Sequence, residues 1–204
     1  MNSLLKSISY IFHPLIMPLL GVLFYFSKSP RFIPSEIIQA KIVSLFILTI
    51  ILPILLYLIL KLIGLVNTVN LKTTKERIYP LILNCIVIIL VLQRILTPAQ
   101  SIELVELYFF FIGILISNMA CLLLAIMKFK ASIHMIAISG VIMFFIALSI
   151  HFSININGTL ALMFIIMGAI ATSRLHLKAH TYVELIIGVF IGIIPQLILV
   201  TYWL

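Results

Sequence analysis

Three polar side chains in one short stretch of the chain have the types and spacing that phosphoryl chemistry needs. His180 and Glu184 are four residues apart, so a helix that begins near His180 would carry both on one face. A carboxylate hydrogen-bonded to one imidazole nitrogen makes the other nitrogen more basic, as a nucleophilic or proton-transferring histidine requires. Arg174 lies six residues before His180 and offers a planar fork of donors to phosphate oxygens. The alternative interpretation is a set of boundary charges around a structural histidine.

A second cluster of polar residues stands where another apolar segment begins. Ser132 and His134 lie at that boundary, and Lys128 and Lys130 come just before them. The two lysines could attract an anion. A boundary histidine flanked by snorkelling lysines would produce the same pattern.

The third cluster is a basic stretch, with Lys72, Lys75 and Arg77 just before an apolar segment. On its own, such a stretch is more typical of a topology signal than of a site. Two histidines, a carboxylate and several cations nevertheless fall on one predicted membrane face. Because ionisable groups near membrane depth are costly, we interpret the combination as a candidate site.

The composition indicates the elements that must position these groups. The chain is 64% hydrophobic and only 9% charged, which leaves too little polar surface to cover a soluble core of this size. The apolar runs are continuous rather than alternating, which favours helices over a barrel. We therefore expect an all-α, polytopic transmembrane bundle of six to seven spans, with residues 1–204 as a single integral membrane domain.

Seven apolar segments can be counted, and their alternation predicts which connections share a membrane face. The segments are 10–26, 42–60, 78–95, 107–127, 135–152, 160–172 and 185–204. The sixth is expected to begin earlier, near residue 153, and the first, with Pro14 and Pro18, is expected to be kinked or only partly inserted. Connections 67–77, 128–132 and 173–181 lie on one face, and 27–41, 97–106 and 153–159 on the other. All three clusters therefore meet on the first face.

The same residues resemble the type 2 phosphatidic acid phosphatase superfamily, membrane lipid phosphatases related in fold to vanadium haloperoxidases. The third motif of that family is Ser-Arg, five residues, His, three residues, then Asp. It is matched by Ser173, Arg174, His180 and Glu184, with Glu in place of Asp.

The other two motifs of the family are matched less closely. The segment Ala131-Ser132-Ile133-His134 keeps the Ser and His of the Pro-Ser-Gly-His motif. The first motif, Lys, six residues, then Arg-Pro, has only Arg77 with Pro80 three residues later. Lys75 or Lys72 would have to supply its ammonium group.

The resemblance implies a role for each matched residue in a metal-independent phosphatase with a haloperoxidase-like helical core and no cofactor. His180 would attack phosphorus to form a phosphohistidine, and Glu184 would orient it. His134 would protonate the leaving alcohol and then activate water. The phosphate oxygens would be bound by Arg174, Arg77, Lys75, Lys72, Ser132, Ser173 and Lys130.

Two other functions remain open from the residues. His176, His180 and Glu184 form an HxxxHxxxE stripe that could bind a metal together with His134. Arg174 beside it, and a chain with five acidic residues in all, disfavour such a metal-dependent hydrolase or hydroxylase. A lipid-binding or transport protein could use the same cations to hold a headgroup without chemistry. A phosphotransferase would share the phosphatase mechanism.

The charge distribution predicts partners and location. The net charge of +8 would suggest nucleic acid in a soluble protein, but the basic residues are confined to short connections between apolar runs, so we expect membrane lipids instead. Nine of the 13 Lys and Arg residues fall on the motif face, yet a phosphate site is itself basic, so this excess does not decide the topology. Related enzymes commonly face outward, so we expect a bacterial plasma membrane protein with an extracytoplasmic site. Phosphatidate, phosphatidylglycerophosphate, a polyprenyl diphosphate and a lipid A phosphate all fit as substrates.

Overall fold

A computed structural model describes residues 2–68, 71, 73–97 and 104–204 of the chain. All regular secondary structure in these residues is helical. Seven helical segments among them are long and apolar enough to cross a membrane. They are Leu5–Lys28, Ser35–Leu62, Thr74–Arg94, Val105–Ile126, Ile133–His151, Asn157–His176 and Tyr182–Val200. The predicted all-helical, multi-pass membrane architecture is therefore confirmed.

The described ranges contain nine α-helices, because two of the seven spans are interrupted. They are α1 Asn2–Ile11, α2 Met17–Lys28, α3 Ser35–Phe46, α4 Leu52–Leu62, α5 Thr74–Arg94, α6 Val105–Ile126, α7 Ile133–His151, α8 Asn157–His176 and α9 Tyr182–Val200. Helix α7 is the most enclosed span and contacts α2, α6, α8 and α9.

The first span is broken where the sequence predicts a kink. Helix α1 ends at Ile11, and a 3₁₀ turn, Pro14–Ile16, precedes α2. Proline cannot donate a backbone hydrogen bond, so Pro14 is tolerated at the start of the turn but not within a continuous helix. His13 precedes this turn, and its Nδ1 accepts a hydrogen bond from the Leu15 amide at 3.3 Å.

Helices α7 and α9 approach closely along a stripe of small residues on α9, Gly188 and Gly192. A Cβ atom on Gly192 would overlap the Oγ of Ser139 and the backbone carbonyl of Ile136. A Cβ on Gly188 would come within 2.9 Å of the Ser132 carbonyl. Only glycine leaves room for this contact, and the contact brings the start of α7 beside the start of α9.

A buried ionic cluster holds the opposite membrane face together. The Glu106 carboxylate is completely buried at the start of α6. It accepts two hydrogen bonds from Arg31, at 2.6 and 3.0 Å, and one from the Tyr25 hydroxyl at 3.1 Å. His151 Nε2, at the end of α7, lies 3.0 Å from the same carboxylate. The cluster links α2, the connection after it, α6 and α7.

Most helices begin before the predicted apolar segments do, and α8 also ends later than predicted. Helix α8 begins at Asn157, between residue 160 and the earlier start expected near residue 153, and it ends at His176, four residues beyond the predicted 172. Helix α5 begins at Thr74 rather than near residue 78. Hydrophobicity falls at the polar residues, but the backbone hydrogen bonds of the helix continue past them. Arg77 and Arg174 therefore lie on the end turns of helices and not in connections.

Candidate phosphate site

A cavity of about 1020 Å³ opens among the helices at the predicted motif face. Its basic lining residues among the described part of the chain are Lys6, His13, Arg77, Lys130, His134, Arg174, Lys178 and His180. All of them come from α1, from the break after it, from the ends of α5, α7 and α8, or from short connections on the same face. Each of the three clusters identified in the sequence thus contributes at least one residue to the same cavity.

His180 is held by the start of α9. It stands before the helix, and Thr181 is the N-cap residue. The Thr181 hydroxyl accepts from the Glu184 amide at 3.3 Å, while Glu184 Oε2 accepts from the Thr181 amide at 3.0 Å, forming a capping box. The same Oε2 accepts a hydrogen bond from His180 Nδ1 at 2.9 Å. The expected pairing is present, but a bend of the chain produces it and not a shared helical face.

Arg77 lies against the other nitrogen of the His180 ring. Its Nη2 is 3.5 Å from His180 Nε2. A guanidinium can only donate and a carboxylate can only accept, so the contacts agree on an imidazole protonated at Nδ1. Arg77 is 3% exposed, and its other donors reach the carbonyls of Leu71 at 3.1 Å and Ala131 at 2.7 Å.

The cations of the cavity lack carboxylate partners. None of the ion pairs found in the described ranges includes Arg77, Arg174 or Lys130. Arg174 is 7% exposed, and its buried Nε has no hydrogen-bond partner among those residues. Lys130 donates to the Ala179 carbonyl at 2.9 Å. Buried positive charge is costly unless an opposite charge compensates it, so this arrangement favours binding of an anion.

The electrostatic surroundings keep His180 neutral. Burial is the largest cause, and the positive charges of Arg77, Arg174 and Lys130 act in the same direction, lowering the pKa of His180 from 6.5 to about 3. Burial and the charge of Arg77 also lower the pKa of the Lys130 ammonium. A neutral imidazole whose Nδ1 donates to a carboxylate carries its lone pair on Nε2, the atom that faces Arg77 at 3.5 Å, and a nucleophilic histidine requires such a lone pair.

The second predicted histidine, His134, lines the same cavity from the first turn of α7. Its Nε2 lies 3.2 Å from the Ser9 carbonyl, to which it donates a hydrogen bond. The His13 ring meets it edge to face, with the ring centroids 5.8 Å apart. His134 is therefore positioned by the broken first span as well as by its own helix.

The sequence interpretation missed the contribution of the first span. Lys6, Ser9, Tyr10 and His13 all line the cavity. Their spacing of three, one and three residues is that of one helical face. A polar stripe on an otherwise apolar span was the signal that could have identified them.

Three other predicted phosphate ligands do not face the cavity. Lys75 is exposed, because a residue two positions from Arg77 points to a different side of α5. The Ser173 hydroxyl donates to the Leu5 carbonyl at 2.6 Å and bonds the Ser9 hydroxyl at 2.7 Å, so it joins α8 to α1. Ser132 occupies the N-cap position of α7 without a capping hydrogen bond from its side chain; it is fully buried, and its hydroxyl has no partner within the described ranges. Lys72 lies outside the described residues.

The metal-binding stripe considered from the sequence does not converge. His176 is exposed at the end of α8, on the far side of the bend that carries His180. In the ranges the structure describes, no three His, Cys, Asp or Glu side chains form a group that could hold a metal ion.

The arrangement brings together an imidazole bonded to a carboxylate, a second imidazole and buried cations around one cavity at a membrane face. Such a set can hold a phosphate group, attack it and stabilise the charge of its oxygens. Comparisons of the chain with protein-family models, with curated proteins and with solved structures found no match.

Proposed function

We propose that this protein is a membrane lipid-phosphate phosphatase, a divergent member of the type 2 phosphatidic acid phosphatase superfamily. It would hydrolyse a phosphomonoester or a diphosphate of a lipid through a phosphohistidine intermediate. The observation that carries the proposal is the environment of His180. Its Nδ1 is bonded to Glu184, and its Nε2 faces Arg77 in a cavity lined with cations.

In the first step, the Nε2 lone pair of His180 attacks phosphorus. The phosphorus–oxygen bond to the lipid breaks, and its electron pair leaves with the alcohol oxygen. That oxygen takes a proton from His134, which enters the step as an imidazolium and leaves it as a neutral imidazole. The Nδ1 proton stays in its hydrogen bond to Glu184, which stabilises the positive charge on the phosphorylated ring.

In the second step, water attacks the phosphohistidine. His134, now neutral, takes a proton from the water, and the nitrogen–phosphorus bond breaks to release inorganic phosphate and His180. Arg77, Arg174 and Lys130 bind the phosphate oxygens throughout. Because Arg77 and Arg174 are buried and their charges are fixed, these cations supply the stabilisation that a metal ion gives in other phosphatases.

The position of the cavity supports a lipid as substrate. Its charged residues lie at or near the ends of membrane spans, and the phosphates of a bilayer lie just outside its hydrocarbon core. Its lining continues along apolar residues of the spans, including Pro53, Leu83 and Val87. We propose the bacterial plasma membrane as its location and the extracytoplasmic face as the side of the site.

Phosphate release from a panel of lipid phosphates tests the proposal. The panel contains phosphatidate, phosphatidylglycerophosphate, a polyprenyl diphosphate and a lipid A phosphate, each with EDTA present. We expect at least one lipid to release phosphate, and His180→Ala to reduce the rate on the order of 10⁴-fold. His176→Ala, an exposed histidine four residues away, is the matched control and should retain the rate. Release that EDTA abolishes and zinc restores would contradict the proposal.

A lipid-binding or transport protein is the second candidate. It is favoured by the depth of the cavity, which reaches Gln196 on α9. This candidate predicts that His180→Ala retains the biological activity of the protein in cells. The phosphatase predicts that the activity is lost while the folded protein persists in the membrane.

A further inference from the structure

The cavity has a second polar level deeper among the spans. Asn84 lies seven residues after Arg77 on α5, two turns along the same face and about 10 Å deeper. Helices α6 and α4 both end at the face that carries the site. Asn118 lies eight residues before the end of α6, and Tyr57 lies five residues before the end of α4. Asn118 is therefore about 12 Å, and Tyr57 about 8 Å, from the site end of its helix. All three residues line the cavity.

Two of these side chains have buried polar atoms without a partner. Asn118 is 9% exposed, and its Nδ2 has no hydrogen-bond partner in the described part of the chain. The buried hydroxyl of Tyr57 is likewise without one there. By contrast, neighbouring polar residues are satisfied within the protein. Ser117 donates to the Ile191 carbonyl at 2.9 Å, and Gln196 to the Phe110 carbonyl at 3.0 Å. Buried donors left unpaired are costly, so a ligand that supplies acceptors would be stabilised here.

The chemistry of the donors limits what they can bind. An amide and a phenol carry no charge, so this level suits a neutral acceptor and not a second phosphate. It also lies between the cations and the apolar end of the cavity. In an acylated lipid phosphate, acyl carbonyls lie between the phosphate and the hydrocarbon chains. Isoprenoid phosphates and ether lipids have no carbonyl at that position.

We propose that Tyr57, Asn84 and Asn118 form a subsite for the acyl carbonyls of a lipid whose phosphate lies among the cations. The ligand class is an acylated lipid phosphate, with ester or amide carbonyls, in preference to an isoprenoid phosphate. The inference rests on the proposed function for the phosphate end of the ligand. It does not depend on turnover.

Binding of short-chain lipids to the full-length protein in detergent tests the subsite. The probes are dioctanoyl phosphatidate, its dioctyl ether analogue, a short-chain ceramide phosphate and geranylgeranyl phosphate. We expect wild type to bind the diester about tenfold more tightly than the diether, as one or two additional hydrogen bonds would produce. Ceramide phosphate carries an amide carbonyl and should also bind more tightly than the diether, and binding no tighter than the diether would overturn the amide part of the proposed ligand class. Geranylgeranyl phosphate should bind no better than the diether.

Two variants assign the preference to the subsite. Asn118→Leu and Tyr57→Phe should each bring the ratio of the affinities for diester and diether close to one. The affinity for the diether should stay within about twofold of the wild-type value. Tyr57→Phe removes only a hydroxyl, so it remains informative if Asn118→Leu does not fold. Tyr79→Phe, on an exposed face of α5 outside the cavity, is the matched control and should retain the preference.

The possible results separate this inference from the proposed function. Equal binding of the diester and the diether by wild type would overturn the subsite, even if both lipids release phosphate. A reduction of both affinities alike in Tyr57→Phe would also overturn it. A preference for the diester that Tyr57→Phe removes, in a protein that releases no phosphate from any lipid, would support the subsite and contradict the phosphatase.

Discussion

At His180, the two ring nitrogens have different partners, and this difference defines the chemistry of the site. Nδ1 is bonded to Glu184 at 2.9 Å, and Nε2 faces Arg77 at 3.5 Å. The carboxylate also closes the capping box of α9, so one side chain both starts the helix and orients the ring. Glutamate suits this double role because, from the third helical position, its longer side chain reaches back to the N-cap residue.

Substitution of Glu184 should separate orientation from capping. Glu184→Gln can still accept from the Thr181 amide but loses the charge that stabilises a phosphorylated ring. We expect kcat to fall roughly 10²-fold or more, with KM little changed. Thr181→Ala is the control, since it removes the other half of the capping box. It should lower the free energy of unfolding by about 1 kcal/mol and leave kcat near wild type. Unchanged kinetics in Glu184→Gln would remove the orienting role.

The neutral state of His180 should appear in the pH dependence of stability. Its pKa is about 3 in the folded protein and near 6.5 when unfolded. Below pH 6.5 the unfolded chain therefore binds a proton that the folded protein does not, and stability falls as the pH falls. At pH 5 the free energy of unfolding is lower by about 2 kcal/mol because of this group.

We expect His180→Asn to reduce the decrease in unfolding temperature between pH 7 and pH 5. His176→Asn should show the wild-type decrease. A decrease that is identical in wild type and His180→Asn would mean that His180 titrates normally.

At the scale of elements, the sequence predicts the spans well and their ends poorly. The seven segments appear because twenty or so apolar residues have one stable arrangement in a bilayer. Their ends depend on hydrogen bonds that hydrophobicity does not report. Thr181 and Glu184 form a capping box that could have been identified from their spacing, and it would have placed the start of α9 after His180.

The contact between α7 and α9 is an element-scale feature with a direct test. Gly192→Ala introduces a methyl group where Ser139 and the Ile136 carbonyl already lie, so the helices must move apart. We expect a loss of about 1–3 kcal/mol in unfolding free energy and a lower rate of phosphate release. Gly168→Ala on α8 is the matched control, because its Cβ would meet nothing within 4 Å. It should be neutral or stabilise by up to about 1 kcal/mol. Equal stability of the two variants would contradict the packing.

The Glu106 cluster should contribute to stability without affecting the chemistry. Glu106→Ala leaves Arg31 and His151 without their buried carboxylate, and we expect it to cost about 3–5 kcal/mol in unfolding free energy. Any protein that folds should retain the wild-type KM, because the cluster is on the opposite membrane face. Glu36→Ala, at an exposed carboxylate, is the control and should change stability little. A large change in KM with unaltered stability would place Glu106 in a functional role.

At the scale of the whole molecule, the part of the site that could be predicted follows from the alternation of spans, because each successive span returns the chain to the other membrane face. Counting spans assigns the three clusters to one face, and His134, Arg174, His180 and Arg77 do line a common cavity. The alternation of spans does not specify how each helix is rotated about its axis. That rotation directs Lys75 outward and places Ser173 in a contact between helices. Nor does the alternation of spans reveal that the polar stripe of α1 lines the cavity, because tertiary packing places the first span there.

The central claim is that His180 becomes phosphorylated, and trapping that intermediate tests it most directly. Full-length protein would be mixed with a radiolabelled lipid phosphate that it hydrolyses and quenched in alkali, since phosphohistidine is labile in acid. The label should be found on the peptide that contains His180, be absent from His180→Ala and persist in His176→Ala. Phosphate release by wild type with no trapped label, or label on a different residue, would contradict the mechanism.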